Sequence, residues 1–142
     1  MLRVILVEDD GDQAEDIRRA LVSAFGDVSV ETITSESDFQ QAIYGAFDTA
    51  PHVIVIDIMI QGSAEGQSEF PAETPAFHMA GFRCEALLRS RGDATPVILY
   101  SVLDRSVLEE SLARVGPNTQ YVMKELHLNS LTNVIGKLVS TS

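Results

Sequence analysis

The chain is expected to fold as an α/β domain built on an open, parallel β-sheet. Strand-like and helix-like segments alternate from end to end, the pattern of a parallel sheet wrapped in helices. Two of the strand-like segments, "HVIVIDI" at 52–58 and "PVILYS" at 96–101, are continuous aliphatic runs, as expected of strands covered on both faces. Between such runs the apolar period lengthens to that of an amphipathic helix.

The first strand covers Arg3 to Val7 and runs into three acids, Glu8, Asp9 and Asp10. A helix follows in "DQAEDIRRALVSAFG", where Ala14, Ile17, Leu21 and Ala24 form one stripe. Asp12 is its expected cap, Glu15 completes a capping box and Gly26 ends it. The second strand, Val28 to Ile33, alternates only in part, which suits a sheet edge. Ser35 is placed to cap a second helix whose inward residues are Phe39, Ala42, Ile43 and Ala46. The third strand spans Val53 to Ile58.

Residues 60–79 break the rhythm. They hold prolines, glycines and glutamates without a clean period, so they read as a long loop. Phe70, Phe77 and Met79 are unusual in such a loop and point to a surface for a partner. Three further helices are expected at Phe82 to Ser90, Asp104 to Val115 and Asn129 to Val139. Asp104 caps the second of these, and Leu131, Val134, Ile135 and Leu138 form the stripe of the third. The remaining strands are Val97 to Tyr100 and Gln120 to Met123, making five βα units.

Composition narrows the function. A chain of 142 residues with 45 % hydrophobic residues is one globular domain by size. Its net charge of −11 repels nucleic acid, so no direct contact with nucleic acid is expected. Cys84 stands alone and cannot form an internal disulfide; it reads as a small apolar filler in a reducing compartment. No apolar run is long enough to cross a membrane, and the N-terminal one is cut short by acids. A cytoplasmic protein without membrane contact is the expectation. His52, His78 and His127 lack ligand spacing and read as surface residues.

Ligands of open parallel sheets bind beyond the carboxyl ends of the strands. There the first strand presents Glu8 and Asp9, the third Asp57, the fourth Ser101 and the fifth Lys124. Gathering three carboxylates costs several kcal/mol for close pairs at an intermediate dielectric. A cation should offset that cost, and an all-oxygen site that keeps water suits Mg²⁺. Asp10 lies one residue past the pair and adds little beyond charge near a helix N-terminus. A fixed carboxylate beside a divalent cation can attack phosphorus, so Asp57 is the candidate nucleophile for an aspartyl phosphate. Lys124 would then offset the charge on the carboxylate and the phosphoryl group, and Ser101 would donate to a phosphoryl oxygen.

Four motifs in order, "ILVEDD", "VIVIDIM", "PVILYS" and "GPNTQYVMK", resemble those of the receiver domain of bacterial response regulators in two-component signalling. The resemblance covers nearly the whole chain outside residues 60–79. It implies a flavodoxin-like, doubly wound sheet of five parallel strands in the order 2-1-3-4-5 with five helices, forming a single domain over residues 1–142. It also implies that Asp57 accepts a phosphoryl group from a sensor histidine kinase or phosphotransfer protein. Mg²⁺ would be held by Asp9, Asp57, the Met59 backbone carbonyl and, through water, Glu8. Tyr121 matches the switch aromatic that moves with the hydroxyl residue, here Ser101.

Three departures stand beside the match. Glu125 replaces the proline usual after the lysine, Val102 replaces the alanine usual after the hydroxyl residue, and the loop at 60–79 is expanded. The leading expectation is a phosphoacceptor module, not a conventional enzyme, that switches a binding surface for a downstream protein or a second copy of itself. That surface is expected around the fourth helix, fifth strand and fifth helix. The alternative is a degenerate receiver that serves as a scaffold or dimerisation unit without taking up phosphate. A Mg²⁺-dependent phosphohydrolase ranks last, because it needs an acid just after the nucleophile where Met59 stands.

Overall fold

In a computed structural model, residues 1–44, 50–60, 80–124 and 128–140 are described. They form β1 (Leu2–Val7), α1 (Gly11–Phe25), β2 (Val28–Ile33), α2 (Glu36–Tyr44), β3 (Val53–Asp57), α3 (Ala80–Ser90), β4 (Val97–Ser101), α4 (Arg105–Leu112), β5 (Thr119–Met123) and α5 (Asn129–Ser140). The five strands lie in one sheet in the order β2-β1-β3-β4-β5, and every neighbouring pair is parallel. The expected doubly wound α/β fold is the observed one.

The order of strands explains the two helical layers. The chain steps outward once, from β1 to β2, and then returns across the sheet; crossovers of one hand therefore place α1 on the face opposite α2, α3 and α4, and α5, which follows the last strand, returns to the face of α1. Alternation along each strand serves both layers. Val4 and Leu6 pack with Ala14, Ile17 and Leu21 of α1 and Leu131 and Ile135 of α5. Ile5 and Val7 pack with Phe39 and Ile43 of α2, Cys84 and Leu88 of α3 and Leu108 of α4. Every residue of β3 and β4 is buried, which is why both read as unbroken apolar runs. Fully buried side chains such as Leu6, Leu21 and Leu99 each contribute roughly 1.5–3 kcal/mol. β2, at an edge, is half-exposed as its partial alternation implied.

Charges inside the second layer are paired. Arg83 of α3 reaches Glu36 of α2 through two bonds of 2.8 and 2.9 Å. Glu85 of α3 accepts from the Gly116 backbone N–H at 2.9 Å and the Thr119 hydroxyl at 2.7 Å, tying α3 to the start of β5. Gly81 lets the start of α3 press against the end of β3: its N–H donates to the Ile58 carbonyl at 2.9 Å, and a Cβ there would stand 2.6 Å from Asp57 O and Ile58 Cα. Cys84 is buried as expected, and burial, with the Glu36 charge, pushes its thiol pKa up.

Several local expectations are corrected. Asp10, not Asp12, caps α1: its Oδ1 accepts from the N–H groups of Asp12 and Gln13 at 2.9 and 3.2 Å. The helix thus begins earlier, and Glu15 pairs with Arg18 and Arg19 instead of closing a capping box. Ala24 is exposed, and the half-buried Phe25 packs in its place. α4 ends at Leu112 rather than Val115. Ile60, assigned to the long loop, is 3 % exposed and belongs to the core. Ser35, Gly26 and Asp104 take the capping positions expected of them. Ala46, Phe70, Phe77, His78, Met79, Glu125 and His127 lie outside the described residues.

Candidate functional site

The site lies at the carboxyl end of the sheet, where register brings distant residues level. Val7 pairs with Ile56, so the next residues, Glu8 and Asp57, leave their strands side by side. Asp57 pairs with Tyr100, and Ser101 with Met123, which carries Lys124 to the same edge. The Lys124 N–H donates to the Ser101 carbonyl at 2.7 Å and extends this ladder by one step.

The ammonium of Lys124 is the hub. Its Nζ donates to Glu8 Oε1 and to Asp57 Oδ2, each at 3.0 Å, and to Gln13 Oε1 at 2.6 Å. It also lies 5.5 Å from the centre of the Tyr100 ring. Asp57 is further fixed by the Met59 backbone N–H, which donates to its Oδ1 at 3.0 Å. Glu8 Oε2 accepts from the Asp10 N–H at 3.3 Å.

Glu8, Asp9 and Asp57 each offer a carboxylate oxygen, and these atoms lie within 4.8 Å of one another. With all three ionised, one ammonium leaves an excess of two negative charges. The strain shows on Glu8, which is 1 % exposed. Burial first, and then the neighbouring Asp57, raise its pKa from the ordinary 4.5 to about 7 despite Lys124. For Lys124, burial alone favours the neutral amine, but Asp57 and Glu8 outweigh it and raise its pKa. A hard divalent cation fits this cluster: the donors are oxygens and the deficit is two charges.

Ser101 and Tyr121 approach the same edge from one layer out. Ser101 is fully buried, and its Oγ accepts from the Leu103 N–H at 3.1 Å. The Tyr121 hydroxyl donates to the Leu103 carbonyl. Burial chiefly, and the Asp104 charge, raise the pKa of that phenol. Arg105 covers the ring at 5.7 Å. Val102 is 64 % exposed and, with Gln13 and Lys124, lines a groove of about 670 Å³. His52 is exposed, and its Nδ1 accepts from the Arg3 N–H at 2.9 Å, a structural bond far from the acids.

Glu8, Asp9, Asp57 and Lys124 are therefore brought together, with Met59 bound to Asp57 through its backbone. Gln13 and Leu103 were missed by sequence reasoning. The first carried a usable signal: it sits three residues past the true cap of α1, on the helix turn facing the end of β1. Leu103 carried none, because only its backbone takes part.

No family model matches the sequence, and no curated protein matches it. Solved structures do. The response regulator receiver protein of Pseudoalteromonas atlantica superposes with a TM-score of 0.73 at 14 % identity, covering 98 % of each chain. The receiver domain of a Francisella response regulator gives 0.70 at 21 % identity, over 99 % of this chain and 98 % of that one. The response regulator TrrA of Thermotoga maritima, solved with Mg²⁺-BeF, gives 0.70 at 15 % identity, over 97 % and 99 %. In another structure TrrA is bound to the histidine kinase ThkA, and there the TM-score is 0.67 at 17 % identity. The chain has the fold of response-regulator receiver domains.

Proposed function

We propose that the protein is a receiver-type phosphoacceptor in two-component signalling. The observation that carries this reading is the meeting of the Glu8, Asp9 and Asp57 carboxylates at the carboxyl edge of the sheet, with the Lys124 ammonium paired to Glu8 and Asp57. Asp9, Asp57, the Met59 carbonyl and, through water, Glu8 would hold Mg²⁺, which when bound neutralises charge on the phosphoryl oxygens. The Asp57 carboxylate attacks phosphorus; the new O–P bond forms as the bond from phosphorus to the donor's leaving group breaks and its electron pair departs with that group. Lys124 offsets the charge carried over to the aspartyl phosphate, and the Ser101 hydroxyl donates to a phosphoryl oxygen. Met59 N–H, already bonded to Asp57 Oδ1, keeps the carboxylate from rotating away.

The phosphodonor is a phosphohistidine on a sensor kinase or phosphotransfer protein, a reading supported by the kinase complex of the similar TrrA. Such a module would work in the cytoplasm, where a sensor kinase presents its phosphohistidine. Ser101 moving toward phosphate would release the Leu103 N–H and disturb the Tyr121 latch, biasing the surface of α4, β5 and α5 between two states. Val107 on α4 and Met123 on β5, 62 % and 44 % exposed, give that surface apolar contacts for a downstream protein or a second copy.

The test is incubation with Mg²⁺ and a small acyl phosphate, followed by intact-mass measurement. Wild type should gain a phosphoryl group that alkali and hydroxylamine remove, and Asp57→Asn should not. Equal labelling of both places the phosphoryl group elsewhere and removes the reading; no labelling of wild type removes it too and leaves a non-phosphorylated scaffold.

A further inference from the structure

Lysine has three N–H donors, and the structure commits all three of Lys124. Two go to the carboxylates of Glu8 and Asp57. The third goes to a neutral amide, Gln13 Oε1, at the shortest distance of the three, 2.6 Å. Gln13 is itself held, for its Nε2 donates to Asp10 Oδ2 at 3.3 Å while Asp10 Oδ1 caps α1. A chain of bonds thus runs from the helix cap through Gln13 to the ammonium beside the acceptor carboxylate.

A phosphoryl group arriving on Asp57 requires a donor from Lys124, and none is spare. One of the three acceptors has to let go. The Asp57 carboxylate is the reacting group and carries charge, as does Glu8 when ionised; the amide oxygen is neutral, and hydrogen bonds between an ammonium and a neutral acceptor are the weaker class. The bond to Gln13 is therefore the one surrendered.

We infer that Gln13 is a positioning residue that holds the Lys124 ammonium in the unphosphorylated protein and competes with the incoming phosphoryl group for it. This rests on the phosphoacceptor reading above. Gln13 is exposed in the first turn of α1, so its replacement leaves the core intact. Nothing in its position makes it a ligand for the metal. Its amide oxygen acts on the lysine, while its amide nitrogen ties it to the helix cap.

The experiment compares wild type, Gln13→Met and Gln13→Glu. Methionine keeps the length of the side chain and loses the amide acceptor; glutamate keeps an acceptor and adds charge; both lose the Nε2 donor to Asp10 alike, so the difference between them reads the contact with the lysine. Labelling by a small acyl phosphate with saturating Mg²⁺ should be about 3- to 10-fold faster for Gln13→Met than for wild type, the size of one hydrogen bond, and slower for Gln13→Glu. The NMR signal of the Lys124 ε-methylene should shift in metal-free Gln13→Met while the thermal midpoint falls by only the few degrees that a lost exposed hydrogen bond costs, and the Mg²⁺ affinity of that variant should stay within about twofold of wild type, because no metal ligand is altered. If wild type is labelled while Gln13→Met is labelled no faster, or the Lys124 signal does not move, the inference is overturned and the phosphoacceptor reading survives. If wild type is not labelled at all, both fall together.

Discussion

Ser101 and Tyr121 share one residue between them: the Ser101 Oγ accepts from the Leu103 N–H at 3.1 Å, and the Tyr121 hydroxyl donates to the Leu103 carbonyl. A move by one side chain changes the backbone that holds the other. Tyr121→Phe removes a single neutral hydrogen bond and should lower stability by about 1 kcal/mol, read as a shift of the urea midpoint. It should leave the rate of Asp57 labelling within a few-fold of wild type. Ser101→Ala should slow labelling instead, and should change the ring signals of Tyr121 by NMR. Unchanged Tyr121 signals in that variant would show that Leu103 does not link the two.

Lys124 is the charge that makes the acidic edge tolerable. Lys124→Met leaves Glu8 and Asp57 facing each other near Asp9 with no cation, and breaking a buried pair of this kind costs about 3–5 kcal/mol. Part of that loss should return when Mg²⁺ is added, since the ion supplies the missing charge. Labelling of Asp57 should fall on the order of a hundredfold, as for loss of one positioned donor in other transfers. Denaturation with and without Mg²⁺, together with the mass time course, checks both effects.

Glu8 predicts a pH dependence. Burial and Asp57 raise its pKa in the fold from 4.5 to about 7, so the folded protein keeps a proton that the unfolded chain gives up earlier. The stabilising protonation is fully present below about pH 4.5 and is lost as pH rises through about 7. Metal-free protein should therefore lose stability across that window on account of Glu8. Mg²⁺ affinity should move the other way, rising toward pH 7 and levelling above it, because the metal needs the carboxylate. Glu8→Gln should flatten both profiles; calorimetric titration at pH 5.5, 6.5 and 7.5 reads the second.

Gly81→Ala reverses the usual effect of adding a methyl group to a helix. Alanine normally stabilises a helical position by roughly 0.5–1 kcal/mol over glycine. Here the new Cβ would lie 2.6 Å from Asp57 O and Ile58 Cα, both backbone atoms that no rotamer change can clear. The variant should lose about 1–3 kcal/mol through overpacking, and should label more slowly because the end of β3 is displaced. A midpoint equal to or above that of wild type would show that α3 is not seated against the acceptor strand.

What the sequence determined by itself was whatever depends on near neighbours. The runs at 53–58 and 97–101, the helical stripes, and the caps at Ser35 and Asp104 are local signals, and the acids at 8, 9 and 57 announce themselves by interrupting apolar strands. Once the strands were placed, the edge they share followed from general rules of parallel sheets. Asp10 marks the border of that reach, since several acids crowd the start of α1 and only backbone geometry selects which one caps it. Tertiary structure alone decided the rest. Gln13 meets Lys124 across 111 residues, Arg83 meets Glu36 across 47, and Gly81 is needed only because α3 lands on the carbonyl of Asp57. These contacts depend on the register of strands and the seating of helices, which sum many weak packing terms over the whole chain, and no short stretch of sequence contains that sum.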